Sequence, residues 1–273
     1  MRRLLSAAAA LSFLLILHFF CLSGEGFSSR ELELLAGKYR GAKASEWGER
    51  VTGVAVEIRT AGKEAALTFD ACGGPRGSAV DFELLEYLKR ERIPATLFLS
   101  GRWIRKNMET VWALAADPLF EIENHGANHR PLSISGKGAY GIPGTVSVTE
   151  AAAEVEENAE LLERITGSRP RSFRSGTNHY DEVAVSIAAE LGHRTVGYSV
   201  NGDGGASFSK KKIAERLLSL RGGEIVLFHM NRPEGWTAEG LKEAIPLLRK
   251  QGFRFVRLSD RPLVFTSPPA LKH

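Results

Sequence analysis

Two histidines four residues apart, in His125-Gly126-Ala127-Asn128-His129, can turn both imidazoles toward one ion, whether the segment is a helical turn or a tight loop. The same spacing describes two surface histidines on a loop, so the neighbours matter. The pair stands just beyond an apolar run, Phe120 to Ile122, and beside Glu123 and Asn124. That setting suits a divalent cation, and imidazole with carboxylate suits zinc and also cobalt or nickel. Asp70 ends another apolar run, Leu67-Thr68-Phe69, and is followed by Ala71-Cys72-Gly73-Gly74-Pro75. It either caps the next helix or faces a ligand; the glycines favour the ligand, because they let the backbone bend sharply and come close. His229 closes Ile225-Val226-Leu227-Phe228, a strand apolar on both faces, and is either a packed core histidine or emerges where the strand ends.

The elements that must position these groups follow from the chain's rhythm. Short β-rich runs recur at Val54 to Ile58, Ala65 to Phe69, Ala95 to Leu99, Phe120 to Ile122, Ser172 to Phe173, Thr195 to Val200, Ile225 to Phe228 and Phe253 to Leu258. Helical patterns lie between most of them, which predicts an α/β domain with parallel strands. Ser147-Val148-Thr149-Glu150 has capping-box spacing, and Gly167 with Pro170 stops the helix it opens. Asp81 to Glu91, Asp181 to Leu191 and the Leu241, Ala244, Ile245, Leu248 repeat give three more helices. The Gly- and Ser-rich stretch from Leu132 to Val146 reads as a long loop, and its length suggests function. Asp70, His125, Arg174, Asn201 with Asp203, and His229 each follow one of the β-runs. In a barrel of parallel strands those ends share one face, where such folds build active sites.

Composition bounds the rest. The chain has 273 residues, 43% hydrophobic and 25% charged, the balance of a folded protein of one large or two small domains. Met1-Arg2-Arg3 and the apolar run from Leu4 to Leu22 have the layout of an export signal or an uncleaved anchor over residues 1–24, which predicts an exported body, periplasmic or extracellular, with membrane attachment where the segment stays uncleaved. Residues 25–50 read as a linker or leading helix and 51–265 as the catalytic body. Without Arg2 and Arg3 the formal charge falls from +4 to +2, too little to argue for nucleic acid, and with no long Lys/Arg stripe no nucleic-acid partner is expected. Two cysteines, Cys21 and Cys72, make no disulfide framework.

The ordered set of Asp70, His125 with His129, Arg174, the Asn201-Gly202-Asp203 segment and Leu227-Phe228-His229 resembles the polysaccharide deacetylases, carbohydrate esterase family four, over roughly Val54 to Leu258. The resemblance implies a distorted (β/α) barrel of about seven parallel strands that removes acetyl groups from an N-acetylated glycan with a divalent metal ion. It implies Asp70 as base, His125 and His129 as metal ligands, Arg174 as the arginine that orients the base, and His229 as general acid supported by Asp203. The departures are Ala71 where the family's carboxylate ligand stands, Ser175-Gly176-Thr177 for Pro-Pro-Tyr, and Gly204-Gly205 within the segment that supports the acid. A third ligand then comes from Asp70, Cys72 or Glu123, and Asp70 is favoured because a carboxylate with two imidazoles completes an open hydrolytic site; a buried free thiol is the plain alternative for Cys72. A backbone N–H near Gly176 or Thr177 is expected to meet the oxyanion. Trp103, Tyr140, Trp236 and His179 are candidates to face sugar rings, and Asn231 to Glu234 a stretch of pocket wall. Two rival readings are a noncatalytic carbohydrate-binding protein on a degenerate fold and a hydrolase of O-acetyl esters or small amides.

Overall fold

The computed structural model describes residues 29–267, so the expected export signal lies outside the described residues. Nine helical or strand elements alternate up to the middle of the chain: α1 (Ser29–Lys38), β1 (Ala55–Ile58), β2 (Glu64–Ala71), α2 (Phe82–Arg90), β3 (Ala95–Leu99), α3 (Gly101–Ile104), α4 (Met108–Ala115), β4 (Phe120–Asn124) and α5 (Val148–Thr166). The second half continues with β5 (Ser172–Phe173), α6 (Glu182–Glu190), β6 (Arg194–Thr195), β7 (Val200–Asn201), α7 (Lys210–Leu218), β8 (Ile225–His229), α8 (Thr237–Lys250), β9 (Arg254–Val256) and β10 (Leu263–Phe265). Local chemistry sets the helix ends. The side chains of Asp81, Ser147 and Asp181 accept the backbone N–H groups of Leu84, Glu150 and Ala184, satisfying donors that a helix start leaves open. Gly167 ends α5 at φ 73°, a left-handed conformation that costs glycine nothing.

Seven parallel strands in the order β6-β5-β4-β3-β2-β8-β7 form a curled half-barrel, the expected distorted barrel, with β9 also pairing with the start of β2. Side-chain alternation along β2 sorts its residues. Ala65, Leu67, Phe69 and Ala71 join the outer apolar layer against α2, α7 and α8, while Ala66 packs inside with Phe98, Ile225 and Val196. Thr68 and Asp70 share the inward parity of Ala66. In the β2–β8 pairing Asp70 and His229 are direct Cα partners, which brings two residues distant in sequence side by side at the barrel mouth.

Three expectations are corrected. The sheet system is not wholly parallel: β1 and β10 form an antiparallel ribbon across the gap of the half-barrel. Gly197 donates to the Ala55 carbonyl on one side of that ribbon, and Ile58 donates to the Gly223 carbonyl on the other. The run from Thr195 to Val200 is not one strand, because the chain leaves the edge of β5, touches β1, and joins β8 only at Val200. Helices α3, α4 and α7 have no counterpart among the expected elements.

Candidate active site

Arg174 follows β5 and is fully buried, stacked 4.2 Å over the Phe98 ring. Its Nε donates to the Val196 carbonyl and its Nη2 to the Gly197 carbonyl, while Nη1 donates to Thr68 Oγ1 at 2.9 Å and to Asp70 Oδ1 at 2.7 Å. A buried charge is tolerated when it is paired and hydrogen-bonded, and here each of the three guanidinium nitrogens has a partner. Burial alone would raise the Asp70 acid; Arg174, with His125 and His229 nearby, outweighs it and holds the carboxyl below its ordinary value. The Asp70 Oδ2 faces His125 Nε2 at 3.5 Å.

The two histidines of the pair are held differently. His125 is buried, and its Nδ1 meets the Arg174 carbonyl at 3.0 Å, which fixes the proton there and leaves Nε2 as a lone-pair donor. His129 sits at φ 59°, and its Nε2 is buried without a hydrogen-bond partner. The rings meet edge-on with centroids 4.9 Å apart. A buried imidazole nitrogen without a partner fits a bound cation better than an empty apolar site. Among the described residues, Cys72, His125 and His129 form the group whose ligand atoms all lie within 4.8 Å of one another. Burial raises the half-buried Cys72 thiol, and the imidazoles of His129 and His229 outweigh it, bringing it to about 6.

The loop carrying the pair is shaped by residues that sequence reasoning missed. Glu154, buried on α5, accepts the backbone N–H groups of Asn128 and Arg130, and burial pushes its acid up to about 7. A Cβ on Gly126 would stand 2.4 Å from Glu154 Oε1, which is why glycine separates His125 from Ala127. Asn124 accepts from Gly126 N and from Asn158 Nδ2, tying β4 and the loop to α5. The visible signal for Glu154 was an acid in register with the apolar face of Ala151 and Val155.

Asp203 is fully buried and takes the expected place beside His229. Its Oδ1 lies 3.0 Å from His229 Nδ1, and its Oδ2 accepts from His229 N and Thr237 Oγ1. Burial works against a charged His229, but the Asp203 carboxylate prevails and holds it well above its ordinary value. Asn201 accepts the Gly204 N–H through its side chain and so shapes the turn that carries Asp203.

These groups open into a cleft of about 420 Å³, a size that suits a small ligand group. Asp70, Cys72, His129 and His229 line it, together with Tyr140, Tyr198, Phe208 and Glu49. Glu49, from the segment read as a linker or leading helix, accepts the hydroxyls of Tyr140 and Tyr198. His179 meets the Tyr140 ring edge-on and the Trp47 ring at a tilt. Other expectations fail on burial or direction. Trp103 is fully buried and donates to the Ala79 carbonyl, and Trp236, though exposed, is not among the cleft residues. Asn231 is buried against the Gly77 carbonyl instead of lining the wall, and Arg232 pairs with Glu234. The Gly176 N–H already donates to the Arg130 carbonyl, so of the two expected oxyanion donors only Thr177, a cleft residue, is left. Glu123 accepts the backbone N–H groups of Arg171 and Ser172 in a separate depression with Glu121 and Arg169, so it is not brought to the histidines; burial there pushes its acid up to about 8.

Similarity to known proteins fits this geometry. The uncharacterized protein YlxY of Bacillus subtilis is 26% identical over 172 residues, covering 63% of this chain and 49% of YlxY, so the chain spans about half the length of that relative. A peptidoglycan-N-acetylglucosamine deacetylase of Bacillus cereus is 26% identical over 208 residues, 75% of this chain and 90% of that protein. In fold, a CE4 family pseudoenzyme from Bacillus anthracis matches with a TM-score of 0.62 at 23% identity, over 76% of this chain and 67% of the other. The polysaccharide deacetylase family model matches residues 57–196, the stretch that carries Asp70, His125, His129 and Arg174. The chain therefore belongs to the polysaccharide deacetylases, carbohydrate esterase family four.

Proposed function

We propose that this chain is a metal-dependent hydrolase that removes N-acetyl groups from an envelope or extracellular polysaccharide, reached by export through the N-terminal segment. The observation that carries the reading is the pairing of Asp70 with His229 on neighbouring strands, beside a histidine pair whose buried His129 Nε2 has no partner. His125 and His129 would hold the cation, with zinc, cobalt and nickel all compatible with imidazole donors. The chemistry a divalent cation supplies at such a site is polarisation of the acyl carbonyl and a lowered pKa for water.

The chain's own residues do the rest. Asp70, kept ionised by Arg174, takes the proton of the attacking water on Oδ2, the oxygen that Arg174 leaves free. His229 donates a proton from Nε2 to the departing amine, which is too poor a leaving group to go as an anion. Asp203 holds the other nitrogen and keeps that proton in place. The Tyr140 rim, 77% exposed, offers a flat face to a sugar ring.

The test is acetate release from N-acetylglucosamine oligomers, with and without a chelator, for the wild type and His125→Ala. Release that stops with the chelator and in the variant supports the reading; release by His125→Ala at the wild-type rate overturns the role of His125. A second reading, a noncatalytic carbohydrate-binding protein, has one observation in its favour: Ala71 stands where the family's carboxylate ligand is expected. It predicts oligomer binding with no acetate release and no response to chelator. Release from O-acetyl sugars alone would point to an esterase.

A further inference from the structure

We propose that Cys72 supplies the third protein ligand of the cation, as a thiolate in place of the missing carboxylate, so that the site is a Cys-His-His centre. The proposal rests on the metal-dependent reading of the same cleft. Parity is the first argument. Ala71 is fully buried in the outer apolar layer, with its side chain directed away from the cleft. Cys72 is two residues beyond Asp70 and lines the same cleft. Its carbonyl is fixed by a 2.7 Å hydrogen bond from Ser100 Oγ, which anchors the backbone at the point where the strand ends.

Distance is the second argument. Cys72 Sγ lies 3.8 Å from His125 Nε2 and falls with His125 and His129 in one group of ligand atoms within 4.8 Å. Bonds of about 2.3 Å to sulfur and about 2.0 Å to imidazole nitrogen place two ligand atoms on one ion roughly 3.5 Å apart. An independent feature belongs to a member of the same group: His129, 8% exposed, carries a buried Nε2 with no hydrogen-bond partner. Asp70 is not in that group, and its Oδ1 is committed to Arg174. A sulfur ligand also resolves a competition, because Asp70 cannot bind a cation and accept a proton with the same lone pair. With Cys72 in the ligand set, Asp70 is free to act as base. Thiolate with two imidazoles moves metal preference toward zinc and away from the hard, oxygen-seeking cations.

The test uses the full chain with Cys21→Ser, so that Cys72 is the sole thiol. After cobalt(II) replacement, the proposal expects a thiolate-to-cobalt charge-transfer band in the near ultraviolet and a thiol that resists iodoacetamide until the metal is removed. In Cys72→Ser the band vanishes and cobalt affinity falls by more than the ~10–100-fold that a lost outer partner costs. Cys72→Asp restores affinity without the band. If cobalt binds Cys72→Ser with unchanged affinity and spectrum, the ligand is another group and the proposal is overturned, while chelator-sensitive acetate release would leave the proposed function standing. If the parent protein binds no cobalt, the centre does not exist, and acetate release in the same samples tells whether the hydrolase reading fails with it.

Discussion

Strand β2 carries a carboxylate at each end, and the two are treated in opposite ways. Glu64, its first residue, is fully engaged. Oε1 accepts from Arg254 at 3.0 Å and Arg261 at 2.6 Å, and Oε2 accepts from Thr60 at 2.8 Å and Arg261 at 2.6 Å. Asp70, six positions on, has only Oδ1 held, by Arg174, and turns Oδ2 toward His125 and the cleft. Both sit beside arginine on the same strand, so the residue types alone do not separate them. What separates them is unused bonding capacity. A carboxylate with every lone pair engaged can only stabilise the fold, whereas one with a free oxygen facing an imidazole lone pair in a cleft can accept a proton or share a ligand's charge.

The sharpest way to break this contrast is Asp70→Asn. Asparagine still accepts the Arg174 hydrogen bond through its oxygen but offers no basic lone pair, so acetate release should fall about 10²–10⁴-fold. Oligomer binding, followed by calorimetry, should change little; a loss confined to binding would make Asp70 a recognition group. Next in size is Asp203→Asn, which should slow release about 10²-fold at neutral pH. The sign of its pH effect is fixed. Asp203 holds His229 above its ordinary value, and the proposed reaction needs that histidine protonated. Removing the carboxylate lowers the His229 pKa, so the high-pH limb of the rate profile should move to lower pH.

How much of this was legible varies with how local the cause is. The caps at Asp81, Ser147 and Asp181 were visible because a cap depends on residues within one turn. The gathering of Asp70, His125, Arg174 and His229 was visible because a parallel strand's end is marked by where its apolar run stops. The β1–β10 ribbon was not, since its partners are two hundred residues apart and only the gap in the half-barrel calls for it. Glu154 and Glu49 were missed for a similar reason. Their oxygens meet a loop backbone and two tyrosine hydroxyls that no local pattern places there. Trp103 shows the converse: its type suggested a sugar platform, but the helix it sits in faces the core.

A third prediction concerns the seam between the histidine loop and the strand end carrying Arg174. A Cβ on Gly176 would lie 2.3 Å from the His129 carbonyl carbon and 2.4 Å from its oxygen, both backbone atoms that cannot swing aside. Gly176→Ala should therefore destabilise the protein by about 1–3 kcal/mol in urea unfolding and weaken cobalt binding, because relief of the clash displaces His129. Unchanged cobalt affinity would mean that the loop absorbs the shift elsewhere.

The smallest effect tests the quiet end of β2. Hydrogen bonds from Arg261, then Thr60, hold the Glu64 acid at about 2, against an ordinary 4.5. A depressed acid contributes stability that is full above its unfolded value and lost as pH falls through its folded value. Arg254 is largely exposed and Arg261 is partly so, so solvent screening limits the contribution to about 1 kcal/mol or less. Glu64→Gln should lower the urea midpoint at pH 7, and the gap from wild type should close between about pH 4.5 and pH 2. Acetate release at neutral pH should stay unchanged, because nothing at that end of the strand touches the cleft. If Glu64→Gln instead slowed release as Asp70→Asn does, β2 would transmit strain from base to mouth, and the two carboxylates would be one coupled device rather than a structural end and a reactive end.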